Sequence, residues 1–144
     1  MTTVAEVTAV VTDRCGAFLA QAHTLTGDPT KPSIAQAIAW AIRAMGGATA
    51  LLTGVTDADV TAVTAAQVDA LLDLTELKTL ESIQTNLTAV NVTAGPVRQE
   101  YNDLSTRLAA IIKDKRTQID ARHRQWLVEP LTSSAPKRAT LRVA

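Results

Sequence analysis

Apolar residues in the first half of the chain recur every three or four positions, a spacing that predicts amphipathic helices. The first helix is expected from about Val4 to His23, where Thr3 and Glu6 form a capping box at the start. Two prolines and a glycine interrupt the pattern at residues 26–33, and Ser33 is suited to cap a second helix. The predicted apolar stripes are Val7, Val11, Phe18 and Ala22 in the first helix, and Ile34, Ile38, Ala41 or Ile42, and Met45 in the second.

Glycines and aspartates mark the next boundaries. The pair Gly46 and Gly47 is predicted to end the second helix, because glycine enters the left-handed conformation without a steric penalty. Asp57 and Asp59 are interpreted as caps of a short helix, the common use of aspartate at such a position, rather than as metal ligands. For residues 48–54 the pattern leaves two options, a short helical turn or a continuation of the second helix.

The stretch "QVDALLDLTELKTLESIQTNL", residues 67–87, changes its apolar side part way along. With about 100° per residue, its first leucines lie on one side of a helix and its later ones mostly on the other. Thr64 with Gln67 forms a capping pattern, and Asp73 with Glu76 repeats it one helix later. We therefore predict a corner near Asp73–Thr75. The alternative is one continuous helix buried all round, which would have to bury several charges at a cost unless they are paired.

Between Pro96 and Pro130 the chain contains no proline or glycine, which predicts a helix of about 31 residues, about 45 Å long. Its first half has an apolar face, whereas its second half keeps only Ile119 and Trp126 as large apolar residues, so we expect that half to project beyond its domain. The predicted face of the first half is Val97, Tyr101, Leu104, Leu108, Ile111 and Ile112.

These patterns together predict an all-α fold: a compact bundle of four or five helices with a long projecting last helix and an extended C-terminal tail. The expected division is a helical domain over residues 1–127 and a tail over residues 128–144. A chain of 144 residues with 47% apolar residues fits one domain with one core. No apolar run approaches the roughly 20 residues that a membrane span requires, and the start lacks the pattern of a secretory signal.

Candidate chemistry is sparse, and we expect neither catalysis nor a bound metal or cofactor. His23 and His123 each stand apart from the spacings that zinc sites use, and His123, between Arg122 and Arg124, is assigned to a solvated helix face. Cys15 is interpreted as a small core residue rather than a nucleophile.

Charge is divided unevenly along a chain whose formal net charge is zero. Residues 1–95 hold nine acids and four bases, and residues 96–144 hold ten bases and five acids, so the two parts carry net charges of −5 and +5. Apolar residues lie among the C-terminal bases, and a Trp beside Arg is a typical interface pair. The predicted partner-binding residues are Arg122, Arg124, Trp126, Leu127, Leu131, Lys137, Arg138, Leu141, Arg142 and Val143.

Three other interpretations of this basic arm remain open. It could be a solvated helix followed by a disordered end, or it could bind the phosphates of DNA. It could also lie on the acidic part of the next copy, a head-to-tail contact that closes into a ring when the rotation permits. An unrecognised small enzyme is a weaker possibility, which predicts a deep pocket with convergent polar groups.

The order of features over residues 57–120 resembles that of head–tail connector proteins, also called adaptors, of tailed bacteriophages. The segments that carry the resemblance are "VDALLDLTELKTLESI", "TAGPVRQEYNDL" and "LSTRLAAIIKDKRTQI". The resemblance implies a small helical subunit that forms a ring, typically of twelve copies, under the portal. It further implies that the C-terminal arm contacts the portal protein, that a further neck or tail protein binds the ring, and that DNA passes through the channel. The implied location is the virion neck, after assembly in the host cytoplasm, with no membrane contact.

Overall fold

The computed structural model describes residues 2–27, 32–47, 54–88 and 95–131, with side chains for all of these except Thr26, Thr88 and residues 95–101. Within them the chain is helical and has no strand, which confirms the all-α class. The helices are α1 (Val4–Thr26), α2 (Ile34–Ala44), α3 (Asp57–Thr61), α4 (Val68–Thr88) and α5 (Gly95–His123). Single 3₁₀ turns, Ala65–Gln67 and Arg124–Trp126, precede α4 and follow α5.

The caps predicted with Thr3, Ser33 and Asp59 are confirmed. Asp57 instead accepts from the backbone N–H of Val4, and Asp73 with Glu76 caps no helix. Thr3 and Glu6 bond reciprocally at the start of α1, and Thr56 does the same with Asp59 at α3. The Ser33 hydroxyl accepts from the backbone N–H of Gln36 at the start of α2. The options for residues 48–54, apart from Gly54, lie outside the described residues.

The predicted corner near Asp73–Thr75 is wrong, because α4 is one continuous helix from Val68 to Thr88. It lies at the centre of the bundle and packs against α1, α2 and α5. A helix that packs against neighbours on several sides needs apolar residues on several of its faces, which explains the change of side in its leucine pattern. Its fully or almost fully buried apolar residues are Ala70, Leu71, Leu74, Leu77, Leu80, Ile83 and Leu87.

Residues that the sequence assigns to amphipathic faces form the rest of the core. Val7, Val11 and Ala22 of α1 are buried and Phe18 is half-buried. On α2, Ile38, Ala41 and Ile42 are buried, with Ile34 and Met45 partly so. On α5, Leu104, Leu108 and Ile112 are buried, but Ile111 is 37% exposed at the edge of the packed face. The side chains of Val97 and Tyr101 lie outside the described part.

The last helix is as long as expected, 29 residues, but its second half packs along α4 instead of extending away from the domain. Ile119 is 1% exposed, and Asp120 and His123 are 9% exposed. Counting only large apolar residues underestimates this contact, because much of it is made by charged and polar side chains.

Candidate partner-binding site

The chain reverses direction after α5 and runs back over the bundle as far as the structure describes it. Residues 127–131, which we call the strap, cross from the end of α5 to the end of α2 and back to α5. The backbone N–H of Val128 donates to the carbonyl of Ala44 at 2.9 Å, and that of Leu131 donates to Oδ1 of Asp120, also at 2.9 Å. Leu127 and Leu131 pack partly buried against the core.

The end of α2 is built to receive the strap. Gly46 has a φ of +87°, its N–H donates to the carbonyl of Arg43, and the N–H of Gly47 donates to that of Ile42. This pair of bonds is a Schellman motif, which closes the helix as Gly46 and Gly47 predicted. The last carbonyls of a helix have no partner inside it, so the Val128 N–H satisfies one that the motif leaves open.

A polar network joins α1, α4 and α5 beneath the start of the strap. Nη1 of Arg14 lies 3.0 Å from Oδ1 of Asp73 and 3.3 Å from Oε1 of Glu76. The other carboxylate oxygen of Asp73 lies 2.8 Å from Nε2 of His123. Asp73 and Glu76, whose spacing resembles a helix cap in the sequence, therefore both accept from Arg14.

Two further ion pairs bind α5 to α4. Nζ of Lys115 lies 3.1 Å from Oε1 of Glu76, and Nη2 of Arg116 lies 2.7 Å from Oε2 of Glu81. These contacts supply the partners that a continuous α4 requires for its partly buried carboxylates. They also remove Lys115 and Arg116 from the set of bases that the sequence offered to an external partner.

Lys78 of α4 has an aromatic partner, and Cys15 of α1 lies in the core as predicted. Lys78 lies with its Nζ 5.2 Å from the ring centroid of Trp40 on α2, a cation–π distance. Cys15 is 1% exposed in the core, and burial, with a smaller contribution from Glu76, raises the pKa of its thiol to about 12. A thiol held in its protonated form is a poor nucleophile.

The ten predicted partner-binding residues divide into three groups. Arg122 and Arg124 are exposed and make no ion pair within the described residues. Trp126 is half-buried, whereas Leu127 and Leu131 contact this chain's own core. The remaining five lie outside the described residues: Lys137, Arg138, Leu141, Arg142 and Val143.

His123 is the residue that sequence reasoning misplaced. It is buried beside Asp73 and does not lie on a solvated face. The sequence did contain a signal for this network. Acidic residues 73, 76 and 81 of α4 pair with basic residues 123, 115 and 116 of α5, respectively. Aligning the charges of the two helices in antiparallel order would have indicated these pairs.

A cleft of about 400 Å³ opens beside Leu131, between α4 and α5. Gln84 and Ile112 contribute to its walls, and Lys113 and Thr117 lie at its α5 side. No group of three or more potential metal ligands occurs among the described residues. The arrangement provides contact surface and exposed positive charge near Leu131, the last described residue.

Comparison with known proteins finds no match, whether to a protein-family profile, to a curated protein or to a solved structure. No helix in the described part of the chain is long and apolar enough to cross a membrane.

Proposed function

We propose that the chain is a structural subunit of a bacteriophage or prophage neck, a head–tail connector that forms a ring and joins the portal to the neck or tail. In this proposal the C-terminal arm, residues 122–144, contacts the portal protein, and a further neck protein binds elsewhere on the ring. The number of copies, twelve, follows from the resemblance in feature order.

The observation that supports this proposal most is the way the strap holds the base of the tail. Two backbone hydrogen bonds and two leucines fix residues 127–131, so a basic tail of 13 residues starts from a defined point on the body. A segment held at one end loses less entropy on binding than a free segment does, which favours its use as a contact device. Exposed Arg122 and Arg124 lie just before that point.

The test is co-purification with a portal protein from a genome that carries this chain, measured together with the mass of the purified chain alone. The informative truncation ends at Leu131, because removing residues 129–131 would also break the contact with Asp120 and disturb the body. We expect a ring-sized assembly and portal binding for the full chain, and loss of portal binding for the truncated one. A chain that stays monomeric with and without the portal would contradict the proposal.

DNA binding is the second candidate, favoured by the exposed bases Lys113, Arg122 and Arg124, which have no ion pair within the described residues. Filter binding of duplex DNA at several salt concentrations separates the candidates. Phosphate contacts by these residues and the tail would give a steep decrease in affinity with salt. A connector that only surrounds DNA would show weak binding even at low salt.

A further inference from the structure

The outer side of α1 is a helix face without a packing partner among the described residues. Five residues at spacings of three and four lie on it and are exposed: Glu6, Val10, Asp13, Ala17 and Ala20. Such spacing places side chains along one stripe of a helix, and here the stripe lies opposite the buried Val7, Val11 and Cys15. Val10 is one of the few large apolar residues of the described chain that are more than a third exposed, at 38%.

The surroundings of the first half of this stripe are acidic, whereas Arg107 of α5 donates to Gln21 near its last residues. Asp57 of α3 lies at the start of α1, where it accepts a hydrogen bond from the Val4 N–H at 2.9 Å. Asp59 lies on the same short helix. Asp13 makes no ion pair within the described residues, and Arg14, the one Lys or Arg of α1 and α3, is occupied by Asp73 and Glu76.

We propose that this stripe of α1 binds the C-terminal tail, residues 132–144, of a second copy of the chain. The tail carries three basic side chains and no acidic one, and it places Leu141 and Val143 on either side of Arg142. Its charge complements Glu6 and Asp13, and its short apolar residues suit the shallow surface formed by Val10, Ala17 and Ala20.

The strap holds Leu131 on α5, through its hydrogen bond to Asp120. The tail of a second copy and the chain's own tail are distinguished by self-association, because only the tail of a second copy makes association between chains depend on the stripe of α1.

The tail of one copy bound to α1 of the next is a heterologous contact, which forms a ring when the rotation between copies closes. The inference therefore rests on the proposed ring and adds how its copies join. The portal contact would then be made by Arg122, Arg124 and Trp126 of the assembled ring, and the loss of portal binding expected on truncation at Leu131 would follow from the loss of the ring.

Charge reversal in the full chain tests the inference. One variant carries Asp13→Lys and Val10→Lys on α1, a second carries Lys137→Glu, Arg138→Glu and Arg142→Glu, and a third carries all five changes. Self-association is measured by sedimentation at several concentrations, and helical content is checked by circular dichroism. The matched control is Asp114→Lys, which changes an exposed carboxylate on α5.

We expect the first two variants to associate at least tenfold more weakly than the unmodified chain, the third to recover part of that loss, and the control to be unchanged. If the unmodified chain and the first two variants form the same ring, the tail does not join copies through α1, although the connector function stands. If the unmodified chain does not associate alone or with the portal, the inference and the proposed function are both wrong.

Discussion

Nε2 of His123 lies 2.8 Å from Oδ2 of Asp73, although 50 positions separate the two residues along the chain. Both side chains are largely buried, with 11% and 16% of their surfaces exposed. The contact fixes the last turn of α5 against α4, directly before the 3₁₀ turn that leads into the strap. The direction in which the C-terminal segment leaves the helix therefore depends on a pair that no local pattern predicts.

Replacing Asp73 by asparagine should destabilise the bundle. The change removes the charge that Arg14 and His123 share in a poorly solvated place, so we expect the free energy of unfolding to fall by about 1–3 kcal/mol. Urea denaturation measures this loss. Asp69→Asn, one turn earlier on the same helix and exposed, is the control and should change stability by less than about 0.5 kcal/mol. Equal effects of the two substitutions would show that the network contributes little.

The Thr75 hydroxyl offers a second test, since it is fully buried and has no hydrogen-bond partner among the described residues. Thr75→Val replaces it with a methyl group of similar size, so we expect the free energy of unfolding to rise by about 1 kcal/mol. Thr79→Val is the matched variant, because the Thr79 hydroxyl donates to the carbonyl of Thr75 at 2.8 Å and would lose that bond. Thermal denaturation should rank the Thr75 variant above the Thr79 variant. The reverse order would mean that Thr75 is satisfied by a bound water.

Local signals in the sequence predicted most of the helix ends. The caps with Thr3, Ser33 and Asp59 and the stop at Gly46 each depend on residues within a few positions, and all are confirmed. The first helix, however, continues past His23 to Thr26. The predictions that failed concerned α4 and the end of α5. In both cases the deciding contacts are long-range ion pairs, which supply partners for charges that sequence reasoning had to treat as unpaired.

The candidate site could be predicted only in part, for the same physical reason. The exposed positions of Arg122 and Arg124 follow from the polar character of the segment, as expected. Leu127 and Leu131 contact the core of their own chain because two acceptors hold the strap in place. These acceptors are the carbonyl of Ala44, which binds the Val128 N–H, and the carboxylate of Asp120, which binds the Leu131 N–H. Neither acceptor can be assigned to the strap before the helices are placed.

Two glycines should respond to alanine in opposite directions. Gly46 has a φ of +87°, which L residues rarely adopt, so Gly46→Ala should lower the free energy of unfolding by about 1 kcal/mol. Gly16 lies inside α1, and a Cβ there meets no atom within 4 Å, so Gly16→Ala should raise it by about 0.5–1 kcal/mol. Chemical denaturation of both variants checks the prediction, and a stabilising Gly46→Ala would contradict the left-handed turn.

Cys15 should make stability depend on pH in the alkaline range. Its ordinary pKa of 9.0 applies to the unfolded chain, and burial, followed by the charge of Glu76, raises the pKa in the folded protein to about 12. The folded state therefore keeps a proton that the unfolded state releases between those values. The stability that this thiol contributes is complete below pH 9 and falls as pH rises towards 12, with a slope of at most about 1.4 kcal/mol per pH unit.

The measurement is the difference in unfolding free energy between the unmodified chain and Cys15→Ala from pH 7 to 11. Other groups that titrate in this range cancel in the difference, as does the constant cost of the smaller side chain. We expect the difference in unfolding free energy to be constant below pH 9 and to decrease above it. A difference that stays constant up to pH 11 would show that the thiol is accessible to solvent in the folded protein.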